Sequence, residues 1–311
     1  MTTNETGMLS ARRYLQLFKK SWDAFNEDYA PSMGAALAYY TTFSLAPVLI
    51  VAIAMAGLVF GQEAARGQIV YQLGSLLGTE SAKAIQELLK SASEPGKSVL
   101  ASAIGIITLI IGATSVFAEL QTSLDRIWRA PALKRETGLW SLIRARTLSF
   151  GMVVAIGFLL LVSLVFSAAL SAVDKWGGAL FPTWHTLLQF VSTVAGFLIT
   201  ATLFASAYRI LPRVRIAWRD VAVGAIATAA MFELGKYLIG LYIGRASVAS
   251  GFGAAGSFVI VLAWVYYSSQ IFLLGAEFTW VYAHSHGSKA GQEPAPAPPI
   301  PISPAKKSTA A

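Results

Sequence analysis

The chain contains no cysteine, and only 13% of its 311 residues are charged, about half the share in an ordinary soluble protein. The missing cysteine excludes disulfides, thiolate metal ligands and cysteine nucleophiles. The shortage of charge excludes a typical soluble globule, because 55% of the residues are hydrophobic and the mean hydropathy is +0.59. Histidine is scarce as well. His185, His284 and His286 have no acidic cluster nearby in the sequence, so we expect no metal site and no cofactor.

Motifs of catalysis are also missing from the sequence. There is no P-loop and no GxSxG, and a metal-dependent nuclease needs converging carboxylates. Asp125 and Glu136 lie among Arg126, Arg129, Lys134 and Arg135, a composition typical of a solvated basic loop. We therefore expect a protein that is not an enzyme.

Long uncharged stretches dominate what is present. Residues 29–62, 176–208 and 246–276 each exceed 30 residues without Asp, Glu, Lys or Arg, whereas a bilayer span needs about 20 apolar residues. No segment alternates like a barrel strand, so the sequence predicts an all-α polytopic membrane protein. Its six transmembrane helices have the approximate bounds 35–60, 98–118, 147–173, 187–211, 221–243 and 254–282.

The distribution of Lys and Arg predicts the orientation of these spans. Of the 24 basic residues, 17 fall in the segments on the N-terminal side of the membrane and 6 in those on the other side, with Lys236 inside a span. By the positive-inside rule both termini are expected in the cytoplasm. The net charge of +8 is then largely topological. We expect membrane lipids as partners and no nucleic acid, and a homo-oligomer is left open.

Three segments flank or interrupt the membrane domain, which we place at residues 34–284. The cytoplasmic N-terminus, residues 1–33, has Tyr14, Phe18, Trp22 and Phe25 on one helical face. This amphipathic helix either lies in the membrane interface or packs on the protein itself. The tail, residues 285–311, is rich in proline and small residues and is expected to be disordered.

The external loop, residues 62–97, is long enough to contain structure of its own. Its apolar residues have helical spacing in two runs, and Pro95-Gly96 ends the second, so two short amphipathic helices are predicted. They either cap the membrane bundle or shield an opening. The runs are Ile69, Leu73 and Leu76, then Ile85, Leu88 and Leu89.

A charged pair inside the fifth span is the strongest functional candidate. Glu233 lies near the predicted middle of the bilayer, where an ionisable group costs about 2.5 to 3.5 kcal/mol on insertion scales. Lys236 follows three residues later on the same helical face and can neutralise it. Two interpretations are open: a structural ion pair that points into the bundle, or a polar lining that meets a charged headgroup or a proton.

Further polar residues extend this candidate path. Gln270 is in an unusually polar turn of the sixth span, and Glu119 and Glu277 are near the cytoplasmic ends of their helices, where water lowers the cost of charge. Backbone features could let helices bend or move. Pro47 is expected to kink the first span, and the start of the sixth is expected to be irregular. The glycines at that start are Gly251, Gly253 and Gly256.

Four stretches resemble the YihY/BrkB family of bacterial inner-membrane proteins. They read DYAPSMGAALAYYTTFSLAP at 28–47, GATSVFAELQTSLDRIW at 112–128, LPRVRIAWR at 211–219 and SGFGAAGSFVIVLAWVYYSSQIFLLGAEFTWVYA at 250–283. The resemblance implies six transmembrane helices with both termini inside. Its members have carried a ribonuclease BN label and virulence or serum-resistance labels. The lack of a metal-ligand cluster in the sequence disfavours the ribonuclease alternative. The resemblance implies a transporter of lipids or envelope precursors, with a non-transporting envelope scaffold as the alternative, and supplies no catalytic residues.

Overall fold

The computed structural model describes residues 3–61, 63, 66–67, 69–71, 82–87, 115–131, 184–245, 256–293 and 295. Over these ranges the regular structure is helical and contains no strand. This confirms the all-α class for the part of the chain described. The long helices are α1 (Thr3–Glu27), α2 (Ala30–Phe60), α3 (115–127), α4 (Trp184–Ile210), α5 (Trp218–Arg245) and α6 (Gly256–Ser285).

Three of these helices are long and apolar enough to cross a membrane: Gln189–Ile210, Trp218–Ile239 and Phe258–Ser285. They coincide with the fourth, fifth and sixth predicted spans, and α2 covers the first. The third predicted span, 147–173, lies outside the described residues, as does most of the second, 98–118. A helical membrane protein is therefore supported, and the count of six spans stays a prediction.

Helix α6 is the centre of the described bundle. It packs against α1, α2 and α5, and α5 packs in turn against α4. The end of α1, the start of α2, the end of α3, the α4–α5 connection and the end of α6 share one buried core, which defines the α1 end of the bundle. That core includes Phe25, Ala30, Leu124, Ile127, Trp128, Tyr208, Leu211, Ile216, Val221 and Ala283.

Helix α1 divides its apolar residues between two environments. Leu17 and Ala24 are buried against α6, and Phe25 is buried in the core at the α1 end. Phe18 and Trp22 remain about half exposed. Of the three aromatic side chains of this face that the structure describes, packing on the protein therefore covers one ring and leaves two available to a lipid interface.

The external loop contacts the opposite end of the bundle. Residues 82–87 are helical, and Ala84 and Ile85 are buried against Leu49 of α2, Ile239 of α5 and Val261 of α6. This is the contact that a cap on the bundle requires. Most of the residues that predicted the two loop helices lie outside the described part of the chain, so their number stays a prediction.

Two matching glycine–threonine pairs bring α5 and α6 into close contact. A Cβ atom on Gly275 of α6 would overlap Thr228 of α5, and one on Gly224 of α5 would overlap Thr279 of α6. Each threonine hydroxyl donates a 2.7 Å hydrogen bond to the carbonyl of the glycine four residues before it in its own helix. The hydroxyls are therefore satisfied internally, and the crossing depends on close backbone approach.

This crossing makes a testable prediction. Gly275→Ala places a methyl group against Thr228 and the Tyr208 hydroxyl, and overpacking of this kind costs about 1 to 3 kcal/mol. We expect a lower thermal unfolding midpoint for the purified chain in detergent. Gly196→Ala in α4 is the matched control, because a Cβ there meets nothing within 4 Å. Equal midpoints for the two variants would show that the α5–α6 crossing tolerates a side chain.

Candidate functional site inside the bundle

The predicted intramembrane ion pair is formed in the structure. Lys236 Nζ lies 2.8 Å from Glu233 Oε2, and the two side chains are 19% and 39% exposed. The ammonium also lies 6.0 Å from the centre of the Phe232 ring. The pair is near the middle of α5, as the sequence predicted. Its geometry suits mutual neutralisation, and both interpretations of the pair remain compatible with it.

Gln270 has a partner on another helix. Its Nε2 donates a 3.3 Å hydrogen bond to the carbonyl of Pro31, and its amide covers Gly34, where any side chain would collide with it. The polar turn of α6 therefore connects α6 to the start of α2. Interhelical hydrogen bonding, expected for polar residues in a span, accounts for this residue.

A cavity of about 300 Å³ lies between α2, α3, α4, α5 and α6. Its walls are mostly apolar, and four hydroxyl side chains from α2, α4 and α6 interrupt them. The lining residues described do not include the five members of the predicted polar path, although three of those five adjoin a lining residue in the chain. The lining comprises Leu37, Thr41, Val116, Leu120, Thr200, Leu203, Phe204, Phe232, Val265, Ser268, Ser269 and Phe272.

Three packed aromatic rings lie between this cavity and the α1 end of the bundle. Phe204 and Phe272 line the cavity and pack against Tyr208, with ring centres 6.3 and 5.1 Å from the tyrosine ring. Tyr208 is fully buried; its hydroxyl donates a 2.7 Å hydrogen bond to the Phe272 carbonyl and lies 3.1 Å from Thr228 Oγ1. One side chain thus joins α4, α5 and α6 below the cavity.

A buried ionic cluster, which the sequence did not predict, lies at the α1 end of the bundle, beyond these aromatic rings. Asp28, in the turn between α1 and α2, is 0% exposed and accepts a hydrogen bond from Arg129 Nη1. Arg126 Nε lies 3.6 Å from the same carboxylate oxygen. Because an unpaired buried charge is costly, the two arginines at the end of α3 and the aspartate depend on one another.

Two residues of this region have a left-handed backbone. Tyr29 has φ 58° and Arg129 has φ 51°, a conformation that costs a non-glycine residue about 1 to 2 kcal/mol. Arg129 ends α3, and the next amide, of Ala130, donates to the carbonyl of Asp125, as in a Schellman cap. The Arg129 guanidinium stacks 5.3 Å from the Trp280 ring, and that of Arg126 lies 5.8 Å from the Tyr29 ring.

Glu277 also lies in this region, at the α1 end of the bundle. Its side chain is 0% exposed, and the expectation that water reaches this residue is wrong, since α1 and the α1–α2 turn cover it. It lies on α6 about one turn before Trp280, and Arg129, which donates to Asp28, holds its guanidinium over the Trp280 ring. We call Asp28, Arg126, Arg129 and Glu277 the carboxylate–guanidinium cluster. It joins α3, α6 and the turn between α1 and α2.

Two further aspartates hydrogen-bond to connecting segments at the α1 end of the bundle. Asp125 accepts a 2.8 Å hydrogen bond from the backbone amide of Arg213 and lies 3.4 Å from the Nε of that residue. Burial raises the pKa of Asp125, and the Arg213 amide and charge act in the opposite direction. Asp220 accepts hydrogen bonds from the backbone and the hydroxyl of Ser288.

The solvated-loop interpretation is wrong for Asp125, Arg126 and Arg129. Residues 115–127 form a helix, and Arg129, in the turn that follows it, donates to the buried Asp28.

The remaining predicted residues are placed as follows. Glu119 lies on α3 and is partly buried. Helix α2 continues on both sides of Pro47, and the kink there stays a prediction. Gly256 begins α6, whereas Gly251 and Gly253 lie outside the described residues. Within the described ranges, no group of three His, Asp or Glu residues is placed to hold a metal ion.

Comparison with known proteins gives the family. A family profile described as "Virulence factor BrkB" matches residues 21–299, which is most of the chain. The chain belongs to the BrkB family. The matched region contains α2 to α6, the cavity and the carboxylate–guanidinium cluster. The resemblance drawn from the four sequence stretches is therefore confirmed.

Curated relatives of this BrkB-family chain are named only as membrane proteins. A UPF0761 membrane protein of Psychrobacter sp. is 26% identical over 82% of this chain and 46% of the relative. One of Glaesserella parasuis is 30% identical over 61% and 64% of the two chains, and one of Acinetobacter baylyi is 26% identical over 91% and 67%. The chain thus spans about half to two thirds of the length of these relatives. No solved structure matches it.

Proposed function

We propose that this BrkB-family protein moves a lipid, or a lipid-linked envelope precursor, across the bacterial inner membrane. The observation that carries the proposal is the cavity of about 300 Å³ bordered by five helices, with apolar walls and scattered hydroxyls. An apolar lining suits a hydrocarbon chain, and the hydroxyls suit a few polar contacts that fix its position. Lipids are then the partners, both termini face the cytoplasm, and no enzymatic step is involved.

The charged pair of α5 supports the same proposal. Phe232 lines the cavity, and the Glu233–Lys236 pair is held beside the ring of that residue. A charged headgroup that moves with its chain in the cavity would find compensating charges of both signs within one helical turn. Charged groups inside a membrane most often mark such pathways.

The second candidate function is a non-transporting scaffold of the envelope. It is favoured by the same ion pair, because a 2.8 Å contact between Glu233 and Lys236 neutralises both charges without any ligand. A structural pair of this kind can often be replaced by apolar residues without loss of function. The two candidates therefore make opposite predictions for the pair.

The deciding experiment follows headgroup-labelled lipids in proteoliposomes that contain the purified chain. We expect transbilayer movement above that of empty liposomes, and a decrease of roughly tenfold, the effect of about 1.4 kcal/mol on the barrier, in Glu233→Ala. The double replacement Glu233→Leu and Lys236→Leu keeps the packing and removes the charges. Equal movement in all three proteins would make the pair structural. No movement of any anionic or zwitterionic lipid would favour the scaffold.

A further inference from the structure

Orphaned oxygens in the carboxylate–guanidinium cluster identify a binding site outside the cavity. Both carboxyl oxygens of Glu277 and the Oδ2 atom of Asp28 are buried and have no hydrogen-bond donor. A buried polar atom without a hydrogen-bond partner is destabilising, and more so when it is charged. Three such atoms on two neighbouring side chains indicate that a ligand belongs between them.

The arginines do not supply the missing donor. Arg129 Nη1 donates to Asp28 Oδ1 and, at 3.4 Å, to the carbonyl of Arg126. Arg126 places its Nε near the same Asp28 oxygen and its guanidinium over the Tyr29 ring. A count of charges alone, two arginines against two carboxyls, would leave Glu277 ionised. The hydrogen bonds indicate otherwise, because neither oxygen of Glu277 accepts one from the arginines.

We propose that Glu277 and Asp28 share one bound proton, held on Glu277 and donated to Asp28 Oδ2. The proton converts a contact between two acceptors into a hydrogen bond between an acid and a carboxylate. This single O–H bond satisfies Asp28 Oδ2 and one oxygen of Glu277. The site does not depend on the proposed function.

The other charged groups near the pair come from three elements. The α1–α2 region contributes Glu27 as well as Asp28, α3 contributes Arg126 and Arg129, and α6 contributes Glu277 itself. The proton therefore connects α6 with the turn between α1 and α2. Loss of the proton would leave two buried carboxylates facing each other, and would weaken the contact between these elements.

Infrared spectroscopy of the full chain, purified at neutral pH, tests the proposal. We expect the carbonyl stretch of an un-ionised carboxylic acid, shifted in D₂O, and lost by one acid equivalent in Glu277→Gln. The glutamine keeps an N–H that can donate to Asp28, so this variant is expected to fold. Glu233→Gln is the matched control and should leave the band unchanged, because that carboxylate is paired with Lys236.

A second measurement needs no substitution. Glutamate labelled with ¹³C at its side-chain carboxyl should shift the band, whereas aspartate labelled in the same way should not. A band that is absent, or that neither Glu277→Gln nor the labelled glutamate changes, would overturn the shared proton. If labelled aspartate moved the band that Glu277→Gln removes, the proton would lie on another residue, and the proposal would be overturned equally.

Discussion

Replacing Asp28 by alanine is expected to destabilise the folded protein by about 3 to 5 kcal/mol, the cost of breaking a buried ion pair from one side. Asp28 is 0% exposed, and Arg126 and Arg129 are only 15% and 9% exposed, so water can do little to replace the lost carboxylate. The guanidinium of Arg129, a residue that already has a left-handed backbone, loses its carboxylate partner at the same time. Thermal or chemical unfolding in detergent, monitored by circular dichroism, measures the effect.

The matched control is Asp23→Ala, which removes an exposed aspartate from the same helix region. It is expected to change stability by less than about 0.5 kcal/mol, as surface substitutions usually do. The double variant Asp28→Ala and Arg129→Ala should lose less than the sum of the single variants, because it leaves fewer unpaired charges. Full additivity would mean that Asp28 and Arg129 do not depend on each other, contrary to the contact between them.

The membrane helices could be predicted because their signal is local. The fourth and sixth predicted spans follow from stretches of more than 30 residues without charge, and no tertiary knowledge is needed to find them. The pairing of Glu233 with Lys236 was equally local, since residues three apart share a helical face. Both predictions rest on spacing within one helix.

The carboxylate–guanidinium cluster could not be predicted in this way. Asp28 and Arg129 are 101 residues apart in the chain, and only the packing of α3 against the α1–α2 turn brings them together. A weak signal was present: Asp28 directly precedes one long uncharged stretch, and Glu277 directly follows another. Glu277 was expected at a water-exposed helix end, whereas α1 covers that end of the bundle and both carboxylates are buried.

The close crossing of α5 and α6 shows the same limit. Glycines with small residues four positions away are common in membrane helices, so Gly224 and Gly275 do not stand out in the sequence. What distinguishes them is the threonine opposite each one on the neighbouring helix. The cavity is harder still to predict, because it depends on where side chains from five helices fail to meet.

Filling that cavity is expected to have the largest effect on transport. Leu203 of α4 lines it, and Leu203→Trp adds an indole side chain to a space of about 300 Å³. A lipid chain that must pass would then have to displace the ring. Overpacking of about 1 to 3 kcal/mol, imposed on the transport barrier, slows movement roughly 5- to 150-fold. Lipid movement in proteoliposomes measures the change.

Leu198→Trp is the matched control, with the same substitution on the same helix. Leu198 is 56% exposed and is not among the residues that line the cavity, so the larger ring is expected on the outer surface of α4. This variant should transport as the unmodified chain does. Equal slowing in both variants would point to a general disturbance of α4. Unchanged movement in Leu203→Trp, with the protein folded, would remove the cavity from the transport path, because a space that can be filled without consequence does not carry the lipid.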